Sequence, residues 1–269
     1  MQKNKLANRD TNSGTNRVIL TRPVAQAQDF ARQVKAMGRD VAHFPLLEIA
    51  ALEDNTALIK QLGQLQDYAL IAFVSPNAID AFFQHLTSLP ENLTFAVMGE
   101  GSRAKLAEYG VNDQTATILR PRNVLKTDSE TLLAELDLDA LRSQKVLIVR
   151  GESGRELLAE ALRAHGVEVV QVAAYRRVKP VLNDENEKHL TQLLESENDW
   201  VITSSEALRN LCDYVEALKL NSGVAKMQRQ HLLVPHSRIE ETAQSLGFLH
   251  ITLTASGDEQ LLVALQSRL

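Results

Sequence analysis

Six short stretches of this 269-residue chain gather hydroxyl, glycine and arginine residues where an apolar run gives way to a polar turn. They are Thr21-Arg22-Pro23, Ser75-Pro76-Asn77, Gly99-Glu100-Gly101-Ser102-Arg103, Arg150-Gly151-Glu152-Ser153-Gly154, Thr203-Ser204-Ser205 and His236-Ser237-Arg238. Main-chain N–H groups left open at a helix start, together with nearby hydroxyls, form anion sites. Arg22, Arg103, Arg150 and Arg238 add planar forks that match carboxylate or phosphate. Taken singly, a Ser at a helix start is an N-cap. Taken together, the stretches describe rims of donors, and two such rims across a cleft suit a large polyanion. Tyr175 is different. It follows the alternating run VEVVQV and precedes Arg176-Arg177, in a segment read as extended. A phenol there can donate a hydrogen bond or a proton to a leaving oxygen, or simply pack against the linker.

Other chemistries find no footing. Gly99-x-Gly101 lacks the third glycine of a dinucleotide fingerprint, position 104 being Ala. No Walker lysine pattern and no G-x-S-x-G elbow is present. The seven histidines are scattered, with no i, i+4 pair on a helix, so they are read as mostly surface residues and no metal site is expected. His236 alone falls on a rim, as a helix-terminus residue. Asp128 and Glu130 open a helix and suit its dipole rather than forming an acid/base pair. Cys212, beside Leu208, Leu211 and Val215, reads as core, and Trp200 as the start of a buried strand.

The elements that must carry these turns appear twice. RVILTRPVAQAQDFARQVKAMGRDVAHF (17–44) aligns without gaps on KVLIVRGESGRELLAEALRAHGVEVVQV (145–172), at an offset of 128. IAFVSPNAIDAFF (71–83) aligns on WVITSSEALRNLC (200–212), AVMGEGSRAKLAEYG (96–110) resembles LLVPHSRIEETAQSLG (232–247), and SETLLAEL (129–136) resembles DEQLLVAL (258–265). Four matches in one order imply two copies of one unit. Each copy reads as strand, turn, amphipathic helix and closing Gly, repeated, which means α/β architecture. Two similar doubly wound parallel-sheet domains of four or five strands are expected. The segments 42–52 and 170–182 are extended-looking and lack helical period. Read as paired crossings, they predict a first domain from 17–43 plus 180–269, crossings at 44–49 and 173–179, and an inserted second domain at 50–172. A linear split near 140 is the alternative, because β-α-β units can pair within a repeat or across repeats.

Composition narrows the partners. Lys and Arg number 29 against 34 Asp and Glu, a net charge of −5. Residues 1–17 hold Lys3, Lys5, Arg9 and Arg17 against Asp10, so the acidic excess lies wholly in the rest, which argues against nucleic acid. One cysteine excludes an internal disulfide and a Cys-cluster metal site, and fits a reducing cytoplasm. No apolar run is long enough to cross a membrane. The stretch MQKNKLANRDTNSGTN is polar and lacks an apolar h-region, so residues 1–16 are expected to be a disordered extension. With no heptads and no large apolar patch, a monomer is expected.

Along nearly all of 17–269 the chain resembles the uroporphyrinogen-III synthase family. The resemblance rests on VILTRP with Pro45, FVSPNAIDAF, AVMGEGSRAKLAEYG, VLIVRGESGRELLAEAL, VQVAAY and WVITSSEAL in that order. The sequence departs at VPHSRI, where Ser237 keeps a hydroxyl and Arg238 does not, and at Ser102, where the family has Thr. The resemblance implies two α/β domains joined by a two-stranded crossing, a β-ladder, with the middle domain inserted into the first. It implies a lyase without metal or organic cofactor that closes hydroxymethylbilane, a linear tetrapyrrole with eight carboxylates, to uroporphyrinogen III with ring D inverted. Transient contact with the enzyme that makes hydroxymethylbilane would follow. It carries Tyr175 over as the residue assisting departure of the terminal hydroxyl. The substrate's carboxylates would be held by Arg22, Ser75, Asn77, Gly99, Ser102, Arg150, Gly151, Ser204, Ser205, Ser237 and Arg238. A two-domain small-anion binding or sensor protein, closing by hinge motion, shares the same rims and is the competing reading.

Overall fold

The computed structural model describes residues 17–123 and 128–268; the expected N-terminal extension, 1–16, lies outside the described residues. Eleven strands are described: β1 (Val18–Leu20), β2 (Val41–His43), β3 (Glu48–Ala50), β4 (Leu70–Phe73), β5 (Thr94–Val97), β6 (Thr117–Leu119), β7 (Lys145–Gly151), β8 (Glu168–Val178), β9 (Asp199–Val201), β10 (His231–Val234) and β11 (His250–Leu253). The described helices are α1 (Val24–Ala36), α2 (Thr56–Leu62), α3 (Pro76–His85), α4 (Glu100–Glu108), α5 (Ser129–Leu133), α6 (Leu138–Leu141), α7 (Leu157–Ala164), α8 (Asp184–Leu194), α9 (Ser205–Ala217), α10 (Gly223–Gln228), α11 (Ser237–Ser245) and α12 (Asp258–Gln266). Two sheets result, β11-β10-β9-β1-β2 and β3-β8-β7-β4-β5-β6. All pairings are parallel except that of β3 with β8.

The two repeats exchange their first blocks. β1 pairs with β9 of the other repeat, Val18 opposite Asp199, and β7 pairs with β4, Val146 opposite Leu70. Within each first block the register is the same. Val18 lies opposite Val41, and Val146 opposite Val169, two pairs related by the offset of 128. The helices between them end alike, at Gly38 with φ +79° and Gly166 with φ +78°, a left-handed turn that glycine adopts without a Cβ clash.

Contacts group the described residues up to Leu46, Val181–Thr254 and those from Leu261 on into one unit. Leu47–Pro180 and Ala255–Gln260 form the other. The chain thus passes from one unit to the other after Leu46, within the expected crossing 44–49, and after Pro180, just beyond the expected 173–179. β3 and the end of β8 pair antiparallel, Glu48 opposite Val178, and this ladder is part of the second unit, as its sixth strand. β8 runs unbroken through Tyr175 to Val178 because β7 pairs it as far as Tyr175 and β3, on its other edge, takes over from Arg176 to Val178.

In the second unit, period-2 alternation sends side chains to two cores. Ile71, Phe73, Phe95, Val97, Leu147 and Val149 pack on one face with Ile79 and Phe82 of α3. Leu70, Ala72, Ala96, Val146 and Ile148 pack on the other with Leu158 and Leu162 of α7. In the first unit, Val18 and Leu20 of β1 meet Ala27, Phe30 and Val34 of α1, which lie on one helical stripe.

The first unit also buries a charge cluster. Asp199, fully enclosed, accepts from Arg39 Nη2 at 2.6 Å, His231 Nδ1 at 2.7 Å and Arg268 Nε at 3.2 Å. His231 Nε2 lies 2.9 Å from Thr252 Oγ1. This histidine is an interior residue, contrary to the surface reading, because the first residue of β10 sits beside the first residue of β9. Burial pushes the Asp199 carboxyl upward, but hydrogen bonds from His231 and Arg39 and the nearby positive charges outweigh it and hold it below the ordinary carboxylate value. A carboxyl depressed on folding stabilises the protein above its ordinary range, and that contribution is lost as pH falls through the depressed value. Asp199→Asn should cost about 3–5 kcal/mol in denaturant unfolding at neutral pH by leaving the buried Arg39 charge without its carboxylate. It should also flatten the acid loss of stability seen in the wild type.

Candidate active site

The site forms where β4, β7 and β8 of the second unit lie side by side. β4 ends in Phe73, and the chain turns at Ser75 into α3. Ser75, extended at φ −165°, is the N-cap; its Oγ accepts from the Ala78 N–H at 3.2 Å, with Pro76 opening the helix. Tyr175 reaches the same hydroxyl from β8, with Oη 3.0 Å from Ser75 Oγ.

A one-residue irregularity aims the tyrosine. β7 and β8 stay in register up to Arg150 opposite Ala173, and then Gly151 lies opposite Tyr175. The extra residue is a β-bulge, which reverses the alternation beyond it. Tyr175 therefore joins Val172 and Ala174 on the α3 face of the sheet rather than following Ala173 to the other. It is not a crossing residue; it belongs to the core cluster and is only 5% exposed. Gly151 makes the room. A Cβ there would lie 3.0 Å from Tyr175 Cζ, 3.1 Å from Cε2 and 3.2 Å from Oη. The Glu152 N–H donates to the Tyr175 carbonyl at 2.8 Å and closes the bulge.

Tyr175 lines a cavity of about 230 Å³ with Ile49, Ala50, Ala51, Asn55, Asn77, Asp80, Ala81, Gln84, His85 and Ala174. The sequence reading named only Asn77 and Tyr175 of these. Asn77, Asp80, Ala81 and Gln84 are one stripe of α3, and continuing that i, i+3, i+4, i+7 spacing from Asn77 was the available signal. Asn55 stands at the N-cap position of α2 without a side-chain capping bond, and the preceding Asp54 Oδ1 accepts from the Thr56 N–H at 2.8 Å. The Asn55 Oδ1 is buried with no partner.

Several expected carboxylate binders are used internally instead. Arg150, 7% exposed, points to the α7 side, where Nη1 donates to Glu156 and, at 2.7 Å, to Gln171 Oε1. The Gln171 amide and then Arg150 hold the Glu156 carboxyl below its ordinary value. Gly154 accommodates this arginine, its absent Cβ falling 2.7 Å from Nη2. Ser205 is 6% exposed and receives a hydrogen bond from Thr242 Oγ1 at 3.1 Å, which ties α9 to α11. Thr21 donates to the Val201 carbonyl at 2.8 Å. Ser102 is buried in the first turn of α4. Gly151 serves Tyr175. Arg103 pairs with Glu100 and Asp113.

Other rim residues stand as helix starts. Ser204 caps α9, accepting from Glu206 and Ala207 N–H groups at 3.2 and 3.4 Å. His236, Ser237 and Arg238 are exposed at the start of α11, with His236 the N-cap. Gly99 precedes α4 with an extended φ of 172° that any residue can adopt. Arg22 lies over the Phe30 ring, 5.1 Å from its centroid. Among the described residues no group of three His, Cys, Asp or Glu could hold a metal ion. Cys212 is buried and its thiol is pushed up to about 11, chiefly by burial, as a core residue.

A family model described as Uroporphyrinogen-III synthase HemD matches residues 28–261, which takes in both repeats. The chain belongs to the uroporphyrinogen-III synthase family. It is 28% identical over 264 residues to the uroporphyrinogen-III synthase of Escherichia coli, covering 93% of this chain and 99% of that protein. It is 25% identical over 216 residues to that of Chlorobaculum parvum, covering 77% and 82%. In fold it is similar to the uroporphyrinogen-III synthetase of Helicobacter pylori, with TM-score 0.61 at 15% identity over 94% of this chain and 100% of that one. It is likewise similar to a mutant uroporphyrinogen III synthase from Thermus thermophilus, with TM-score 0.55 at 12% identity over 94% and 98%. The two-domain α/β architecture with parallel sheets is thus the family's. None of the described helices is long and apolar enough to cross a membrane.

If Gly151 exists to admit the tyrosine, Gly151→Ala should displace the ring by a few tenths of an ångström. The expected result is a roughly three- to tenfold fall in turnover with the unfolding midpoint little changed, read by steady-state assay beside thermal unfolding.

Proposed function

We propose that this chain is a lyase of tetrapyrrole biosynthesis that closes hydroxymethylbilane to uroporphyrinogen III with inversion of ring D. The observation that carries the reading is the family match running through both repeats, residues 28–261. The small-anion sensor accounts for the rims but not for that match.

Hydroxymethylbilane closes unaided without inversion, so the catalyst's task is largely orientation. Ring D must attack through its substituted carbon, giving a spiro intermediate. Departure of the hydroxyl leaves a cationic azafulvene, and an acid at that oxygen lowers the barrier. Tyr175 is the phenol suited to it. Its ring is fixed in the core, its Oη is held by Ser75, and the residue borders a cavity. It gives its proton to the departing hydroxyl; the carbon–oxygen bond breaks, water leaves, and the proton lost on ring closure returns to the phenolate. No metal or organic cofactor enters this scheme.

Arg22, Asn77, Gly99, Ser204, Ser237 and Arg238, with the N–H groups at their helix starts, are proposed to take the substrate's carboxylates. Ser102, Ser205, Gly151 and Arg150 are assigned to the framework. At a net charge of −5 the chain as a whole repels a polyanion, so binding depends on these local donors and should weaken as salt rises.

Freshly made hydroxymethylbilane incubated with the protein should yield isomer III in excess of isomer I, resolved chromatographically after oxidation. A product mixture matching the enzyme-free control would overturn the assignment. Tyr175→Phe should lower the rate of isomer III formation roughly 10²–10⁴-fold with folding preserved.

A further inference from the structure

We propose that Ser75 is a positioning residue that acts through Tyr175, rather than a ligand for a substrate carboxylate. The proposal rests on the reading of Tyr175 as the acid. A serine hydroxyl has one proton and two lone pairs. One lone pair of Ser75 Oγ accepts the Ala78 N–H at 3.2 Å, and Tyr175 Oη lies at 3.0 Å. The N–H fixes the oxygen, and of the two directions open to the Ser75–Tyr175 bond, donation by the serine is the one that frees the phenol's proton for the substrate. Donation in that direction turns the phenol's own proton away from Ser75. It also leaves a hydrogen bond in place to the oxygen that becomes negative as the proton is transferred. Ser75 caps the ten-residue α3, so the developing phenolate lies at that helix's positive end. With both sides of its hydroxyl engaged, Ser75 is poorly placed to hold a carboxylate as well. Its counterpart Ser204 has no such partner among its hydrogen bonds and caps α9 only.

Three variants separate the roles, each assayed for isomer III formation in the wild-type and Tyr175→Phe backgrounds, with circular dichroism melting as a check on folding. Ser75→Thr keeps cap and donor and should retain turnover within a few-fold. Ser75→Asp keeps a cap acceptor but has no proton to give; it should fold like the wild type yet lose turnover at least as far as Ser75→Ala. Ser75→Ala should lower kcat roughly ten- to a hundredfold with KM little changed, the scale of a lost hydrogen bond to a charge. In the Tyr175→Phe background it should cost nothing further. An equal loss in both backgrounds, a rise in KM alone, or full activity in Ser75→Asp overturns the role of Ser75 while leaving Tyr175 as the acid. Full activity of Tyr175→Phe by itself overturns both.

Discussion

A single extra residue in β8 sets the chemistry of the second unit. Parallel pairing holds β7 between β4 and β8, and strict alternation would carry Tyr175 to the α7 face of the sheet, where Arg150, Gln171 and Glu156 are bonded together. The slip after Arg150 and Ala173 turns it to the α3 face instead, beside the Ser75 cap. The bulge and the bare Cα of Gly151 act together, since the first aims the ring and the second gives it space. A phenol held this way, within a strand and against a packed core, loses little further freedom on reaching the reactive geometry. That is the form orientation catalysis takes when no metal is expected to take part.

Both ends of the sheets show why β4, β7 and β9 matter more than their length suggests. The exchange of first blocks sets β1 between β2 of its own block and β9 of the other repeat, and β7 between β8 of its own block and β4 of the other. Residues far apart in the chain thereby become neighbours: Ser75 and Tyr175 at one strand end, Arg39, Asp199 and His231 at another. The Asp199 cluster secures the exchanged pairing of the first unit, because its carboxylate on β9 is answered by Arg39 from the turn that leads into β2, as well as by His231 of β10.

The repeat made much of the fold legible. Equal offsets forecast that the two first blocks share one register, which the pairs Val18–Val41 and Val146–Val169 then display, and the helix-ending Gly38 and Gly166 were readable beforehand. Trp200 and Cys212 were legible as core from their apolar neighbours. What escaped was whatever depends on a one-residue shift or on direction within a strand. A bulge leaves no mark beyond the small pair Ala173-Ala174 just before Tyr175, so Tyr175 looked like part of a linker. Arg150 looked like an open fork because its inward partners, Glu156 and Gln171, come from a helix start and a neighbouring strand. His231 looked solitary until β10 was set beside β9.

The central claim is that Tyr175 supplies a proton rather than shape. A bilane whose terminal hydroxyl is replaced by a group that departs as a stable anion needs no such proton. Comparing wild type and Tyr175→Phe on that analogue, by single-turnover formation of isomer III, isolates the acid. The account predicts that the deficit of the variant on hydroxymethylbilane shrinks to within a few-fold on the analogue. A deficit of the same size on both substrates would contradict it and leave the phenol as packing alone.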